Sequence, residues 1–211
     1  MHSSDRNARP LTTALWIAPK RSCKRVSRSI LAGVVHLRAL GPFSRPARAG
    51  VHTIEHGTYL DAQAAKVMRE NGTTLVPTLM ALKGVSEGLG KGTYTPVVED
   101  KIRAVVPLMS SLVSRARQYG VKIAFGTDAG VFQHGRNAEE FALMTRQGMS
   151  NREALASATT GAAKVLGMED EIGRIAPGFS ADIIAVDGNP LADVTVLEKV
   201  GFVMVRGRVI E

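Results

Sequence analysis

The chain has 211 residues, 45% of them apolar, which is enough for a sizeable buried core and too much for a disordered composition. No stretch approaches the roughly 18 to 20 consecutive apolar residues that span a bilayer, and the single cysteine, Cys23, excludes an intrachain disulfide and a cysteine-cluster zinc site. The net charge of +8 is uneven: residues 1–50 hold ten Lys or Arg against one acid, residues 51–211 seventeen against eighteen.

Because the positive excess is confined to the first quarter, it reads as a separate segment and not as a basic surface built into a fold. Half of residues 1–50 are Arg, Ser, Pro or Ala; Pro10, Pro19, Pro42 and Pro46 interrupt any helix, and no period of 2 or 3.6 is sustained. Residues 1–47 are therefore expected to be irregular, a basic, disordered or non-native segment. A transit peptide shares the Arg- and Ser-rich, acid-poor composition, but the prolines break its amphipathic helix. An arm for nucleic acid or a membrane surface is a second reading. For a secretory signal, LTTALWIAP is short and its basic run follows instead of preceding it.

From Gly50 onward the punctuation becomes regular. Residues 51–54 are a short strand. Asp61 caps a helix running to about Arg69, closed by Asn71-Gly72. TTLVPTL, residues 73–79, is a second strand, and the glycine-rich loop LKGVSEGLGKGTYT follows. Thr95-Pro96 then opens a long helix in which Ile102, Val105, Val106, Met109, Leu112, Val113 and Ala116 keep helical spacing until Gly120. VKIAFGTDAG is a fully apolar strand ending in Gly-Thr-Asp. Asn137 with Glu140 is the expected cap of the next helix, and Ser150 with Glu153 is a capping box for another, stopped by Gly167.

Strand and helix alternate three times, the rhythm of a parallel sheet covered by helices. The tail, with IGRIAPGFSADIIAVDGNP and VGFVMVRGRVI, reads as a small β-unit of short strands separated by Pro-Gly, Asp-Gly and Arg-Gly.

In an α/β barrel, functional side chains project from the C-terminal ends of the strands. His56 and Asp128 stand at such ends, His134 lies in the loop after Asp128, and the glycine-rich loop follows the strand between them. Singly each has a plainer reading: a structural histidine, a helix-capping aspartate, and a solvated loop residue ahead of Gly135-Arg136. His36 and His52 have no better claim. A phosphate loop is excluded by spacing, since Val85 stands where the first glycine should be and Gly92 follows Lys91.

Together, IEHG, a strand, a glycine-rich lid, FGTDAG with HGRN behind it, the helix EALASATTGAAKVLG and the tail IGRIAPGFSADIIAVDGNP resemble the C-terminal part of the metal-dependent amidohydrolase superfamily. Within it the likeness is greatest to the imidazolonepropionase-like group, which includes Xaa-Pro dipeptidases, and it covers about residues 48–211. The resemblance implies an α/β fold: the C-terminal portion of a TIM-like (β/α)8 barrel, about strands 6 to 8, over residues 48–167, followed by a small β-unit over 168–211. By the same resemblance His56 is the metal-binding histidine after strand six. Asp128 after strand eight is both a metal ligand and the catalytic acceptor of a proton from the attacking water, and His134 is a substrate-contacting loop residue. The implied cofactor is a divalent metal, zinc above others, and the implied substrate a small molecule or dipeptide cleaved at a non-ester C–N bond. Asp182, in the SAD tripeptide, reads as structural.

Such a site also needs a His-x-His pair after strand one, a carboxylated lysine or a glutamate after strand four and a histidine after strand five, and none can be placed in this sequence. A complete barrel takes about 250 residues. The expectation is a truncated or frameshifted amidohydrolase with little activity alone. The competing readings are a non-catalytic fragment or subunit that completes another barrel, and a basic-arm nucleic-acid-binding protein. Neither a membrane nor nucleic acid is the expected partner, an oligomer is compatible with the sequence, and the cytoplasm is the default compartment unless a signal peptide lies upstream.

Overall fold

A computed structural model describes residues 13–15, 34–36 and 50–210. Two sheets organise them. The parallel sheet has the order β2 (Val34–His36), β3 (Thr53–Glu55) and β4 (Thr74–Val76). The antiparallel sheet runs β1 (Thr13–Leu15), β5 (Ile183–Val186), β6 (Val200–Val205) and β7 (Arg208–Val209).

Between β3 and β4 lies α1 (Ala62–Glu70). It starts where Asp61 Oδ1 accepts from Ala64 N at 2.7 Å, and it buries Ala64, Ala65, Val67 and Met68 as one face. After β4 come α2 (Leu79–Ser86), α3 (Pro96–Met109) and α4 (Leu112–Gln118). Then follow α5 (Glu139–Arg146), α6 (Asn151–Ala158) and α7 (Thr160–Val165). The capping box of α6 is complete: Ser150 accepts from Glu153 N while the Glu153 carboxylate receives Ser150 N.

Ile54, Met68, Leu75, Leu112, Val113 and Met144 are fully enclosed between the parallel sheet and its helices. A second cluster, including Phe141, Leu155, Val186 and Leu197, joins α5 and α6 to the small β-unit, and Phe125 packs on Phe141 with ring centroids 4.3 Å apart. The structural reading of Asp182 fits its contacts. It is buried and takes hydrogen bonds from Ser180 Oγ at 2.6 Å and Arg206 N at 2.9 Å, tying the turn between β6 and β7 to the segment ahead of β5.

Several expectations need correction. The first 50 residues are not wholly irregular: Val34–His36 pairs in parallel with β3 and Thr13–Leu15 antiparallel with β5. Three-residue strands need an adjacent edge and no sustained periodicity, so the pattern test passed over them. The rest of that segment lies outside the described residues.

The strand expected at VKIAFG is one parallel bridge, Leu75 to Ile123, flanked by Leu75 N donating to Lys122 O and Ala124 N to Leu75 O. The long helix breaks at Ser110-Ser111, three residues after Pro107, and the next long helix breaks at Thr159. Asn137 does not cap α5. Ala138 is at the cap, and Asn137 donates instead to Thr127. No helix among the described residues is long and apolar enough to cross a membrane.

Candidate metal centre

The backbone turns left-handed at His56 (φ 65°), just after β3, at Thr78 (φ 49°), two residues after β4, and at Asp128 (φ 54°), beyond the segment bridged to β4 at Ile123. Non-glycine residues seldom adopt this region, and where they do the surrounding structure must enforce it. His56 N donates to Val76 O at 2.9 Å, so the histidine leaves the sheet while still bound to it. Gly57 (φ 59°) follows, and a β-carbon there would meet Leu75 Cδ1 at 2.3 Å, so any other residue would take a strained backbone and displace the Leu75 side chain.

The Thr78 hydroxyl fixes the imidazole. His56 Nδ1 lies 2.6 Å from Thr78 Oγ1, and Thr78 Oγ1 is 2.7 Å from Pro77 O. A carbonyl can only accept, so the hydroxyl proton goes to Pro77 and Oγ1 accepts from Nδ1–H. That places the ring proton on Nδ1 and leaves Nε2 unprotonated. Nε2 in turn lies 3.9 Å from Asp128 Oδ2, with the His56 side chain 10% exposed and that of Asp128 31%. Two acceptor atoms thus face each other, an arrangement that a cation or a shared proton satisfies.

Residues 137–140 brace both sides of the pair. Asn137 Nδ2 donates to Thr127 Oγ1 at 3.2 Å, next to Asp128. Glu140, fully buried, takes Leu79 N on Oε1 at 2.9 Å and Met80 N on Oε2 at 2.7 Å, next to Thr78. Burial pushes the Glu140 carboxyl up to about 8, against the opposing pull of those two N–H groups. At the surface, Arg136 grips Glu87 and Glu139 while Lys83 reaches the same two carboxylates, holding the loop after Asp128 against α2. Hydrogen bonds from Arg136, then from Lys83, hold both carboxyls down at about 2.

Of the residues singled out in the sequence, the structure brings His56 and Asp128 together. His134 is exposed in the turn before Arg136, and no hydrogen bond or ion pair joins it to either of them. Sequence reasoning missed Thr78 and the true partners of Glu140; a Thr-Pro reversal ahead of an apolar helix was the available signal for the first.

The pair suits a metal in part. The 3.9 Å gap is less than twice a zinc–nitrogen or zinc–oxygen bond of about 2.0–2.2 Å, so one ion can touch both atoms. A metal-bound histidine usually donates its other ring N–H to an acceptor behind it, a place that the Thr78 hydroxyl takes here. Among the described residues no group of three or more His, Cys, Asp or Glu side chains gathers, so two donors are what they offer.

Residues 45–210 match the amidohydrolase family, and the chain belongs to that family. An uncharacterised protein of Mycobacterium bovis is 36% identical over 164 residues, covering 76% of this chain and 42% of that protein. Ochratoxinase of Aspergillus niger is 30% identical over 157 residues, 72% of this chain and 32% of that enzyme. Among solved structures, a Xaa-Pro dipeptidase with methionine bound in its active site is 42% identical with a TM-score of 0.80, covering 84% of this chain and 44% of that one. The chain therefore spans less than half the length of these relatives. The resemblance read from IEHG, GTDAG and the tail is borne out at family level, and the fold is that of part of the amidohydrolase barrel.

Proposed function

We propose that the chain carries the strand-six and strand-eight side of a divalent-metal site for hydrolysis of non-ester C–N bonds, with His56 and Asp128 as ligands. The observation that carries this reading is His56 Nε2, left without a proton by the Thr78 contact, 3.9 Å from Asp128 Oδ2. Zinc, when bound, would polarise the scissile carbonyl and lower the pKa of water toward roughly 7. Asp128, partly open to solvent, accepts a proton from the attacking water and returns it to the leaving nitrogen. His56 holds its position through Nδ1–H to Thr78, with Nε2 unprotonated.

Residues 48–167 supply this barrel portion and 168–211 the small β-unit beside it. Similarity to the Xaa-Pro dipeptidase supports a dipeptide ending in proline as substrate, with exposed His134 contacting it from the loop. Two donors gather among the described residues, and turnover by this chain alone is expected to be very low because the His-x-His pair, the carboxylated lysine and the strand-five histidine that the family resemblance implies cannot be placed in its sequence. A subunit that completes another barrel is the second reading, favoured by that same two-donor set. Copurification with a chain bearing His-x-His supports it, and a stable active monomer refutes it.

Cobalt titration of the purified chain, followed by absorbance, tests the ligands. Saturable binding that weakens in both Asp128→Asn and His56→Asn supports the pair. Equal binding by all three proteins refutes it.

A further inference from the structure

Glu140 is the least expected side chain in the fold: an acid with no exposed surface, on a helix whose neighbouring residues Glu139 and Arg136 are satisfied at the surface. Its carboxyl oxygens are used across about 60 residues of sequence, on the first two backbone N–H groups of α2. Those groups directly follow Thr78, the left-handed residue whose hydroxyl holds His56. A helix start would find water or a local cap at less cost than burying an acid, so the arrangement calls for a reason beyond capping.

We propose that Glu140 is a positioning residue for the metal-binding histidine. By pinning Leu79 N and Met80 N it holds Thr78 in its left-handed turn, so that Oγ1 accepts from His56 Nδ1 and Nε2 is presented toward Asp128. Asn137, one helical turn earlier, does the matching work on the other side through Thr127. The segment 137–140 is thus a brace across the two strand ends, and the distance between His56 and Asp128 depends on residues that touch neither. This rests on the reading of His56 and Asp128 as a metal pair, but its mechanical part, the link from Glu140 to the His56 tautomer, is separable.

The experiment compares the full chain with Glu140→Gln, Glu140→Asp, Thr78→Ala and Glu139→Gln. Two properties are read: the His56 ring tautomer, from long-range proton–nitrogen spectra assigned with His56→Asn, and affinity for cobalt. Glutamine keeps one acceptor, but its NH2, unlike a carboxyl oxygen in either protonation state, cannot accept from the other N–H; aspartate keeps the carboxyl but falls one methylene short. Glu139→Gln removes only surface pairs.

The expected result is the Nδ1–H tautomer in the native chain and in Glu139→Gln, and a tautomer mixture in Thr78→Ala and both Glu140 variants. Cobalt affinity falls by about 10- to 100-fold in the same three, as for other residues that orient a ligand. If Glu140→Gln does not fold, Glu140→Asp carries the comparison. An unchanged tautomer in the folded Glu140 variants, with Thr78→Ala altered, overturns the proposal whether or not cobalt binds. If the tautomer shifts as expected but the native chain binds no cobalt, the positioning role stands and the metal reading falls.

Discussion

The close approach of Gly57 to Leu75 makes a sharp test. Gly57→Ala places a β-carbon 2.3 Å from Leu75 Cδ1 and forces alanine to φ 59°. The left-handed conformation costs an L-residue about 1–2 kcal/mol, and crowding a fully buried leucine costs about 1–3 kcal/mol more, so the substitution is expected to destabilise by about 2–5 kcal/mol. Leu75→Ala alone costs about 2–5 kcal/mol through its cavity, but it also removes the atoms that the new methyl would meet. In the double variant only the backbone strain remains, so the two losses fall short of additivity by about 1–3 kcal/mol. Urea unfolding of the four proteins, compared at a common denaturant concentration, measures this coupling. Additivity within about 0.5 kcal/mol would show that Leu75 already yields freely, and the close-approach argument for glycine would be wrong.

Glu140 gives a pH signature. Its carboxyl is raised from 4.5 to about 8 by burial, so above pH 4.5 the folded chain retains a proton that the unfolded chain releases. Its stabilising contribution is complete below pH 4.5, declines by at most about 1.4 kcal/mol per pH unit as pH rises, and levels off above 8; Glu140→Gln should flatten that part of the unfolding profile, and parallel profiles refute it. Ser150→Ala removes one half of the capping box and is expected to cost about 0.5–2 kcal/mol by thermal or urea unfolding. Arg136→Ala should leave the urea midpoint almost unchanged in high salt, while the Glu87 and Glu139 carboxyls, now at about 2, rise toward the ordinary range in a titration followed by NMR. Carboxyls that stay low would assign the effect to Lys83 instead.

Local chemistry was legible in the sequence. Asp61 and Ser150 cap helices because each has its amide partners within three residues, and Gly120 and Gly167 follow helix ends at φ 68° and 63°. His56 and Asp128 could be placed at strand ends because a short apolar stretch stops within three residues before each, at Ile54 and at Phe125. What escaped was long-range. Glu140 stands three residues after Asn137, where a local pairing is the natural reading, but the amides of Leu79 and Met80 take it instead. The break at Ser110-Ser111 leaves Met109, Leu112, Val113 and Ala116 buried on both sides of it, so the apolar spacing that implied one continuous helix survives the interruption. VKIAFG is apolar because it is packed, not because it forms a long ladder; one bridge to Leu75 is the pairing the described residues provide.

The left-handed turns at His56 and Asp128 also bear on how any loss of function in this region should be interpreted. An alanine scan would conflate two questions there, since alanine removes the functional group and at the same time resists the backbone that carries it. Asparagine, which visits this conformation several-fold more readily than most residues, separates them: it preserves the fold's geometry while deleting the imidazole or the carboxylate. A phenotype shared by asparagine and alanine at these positions is chemical, whereas one seen with alanine alone is architectural.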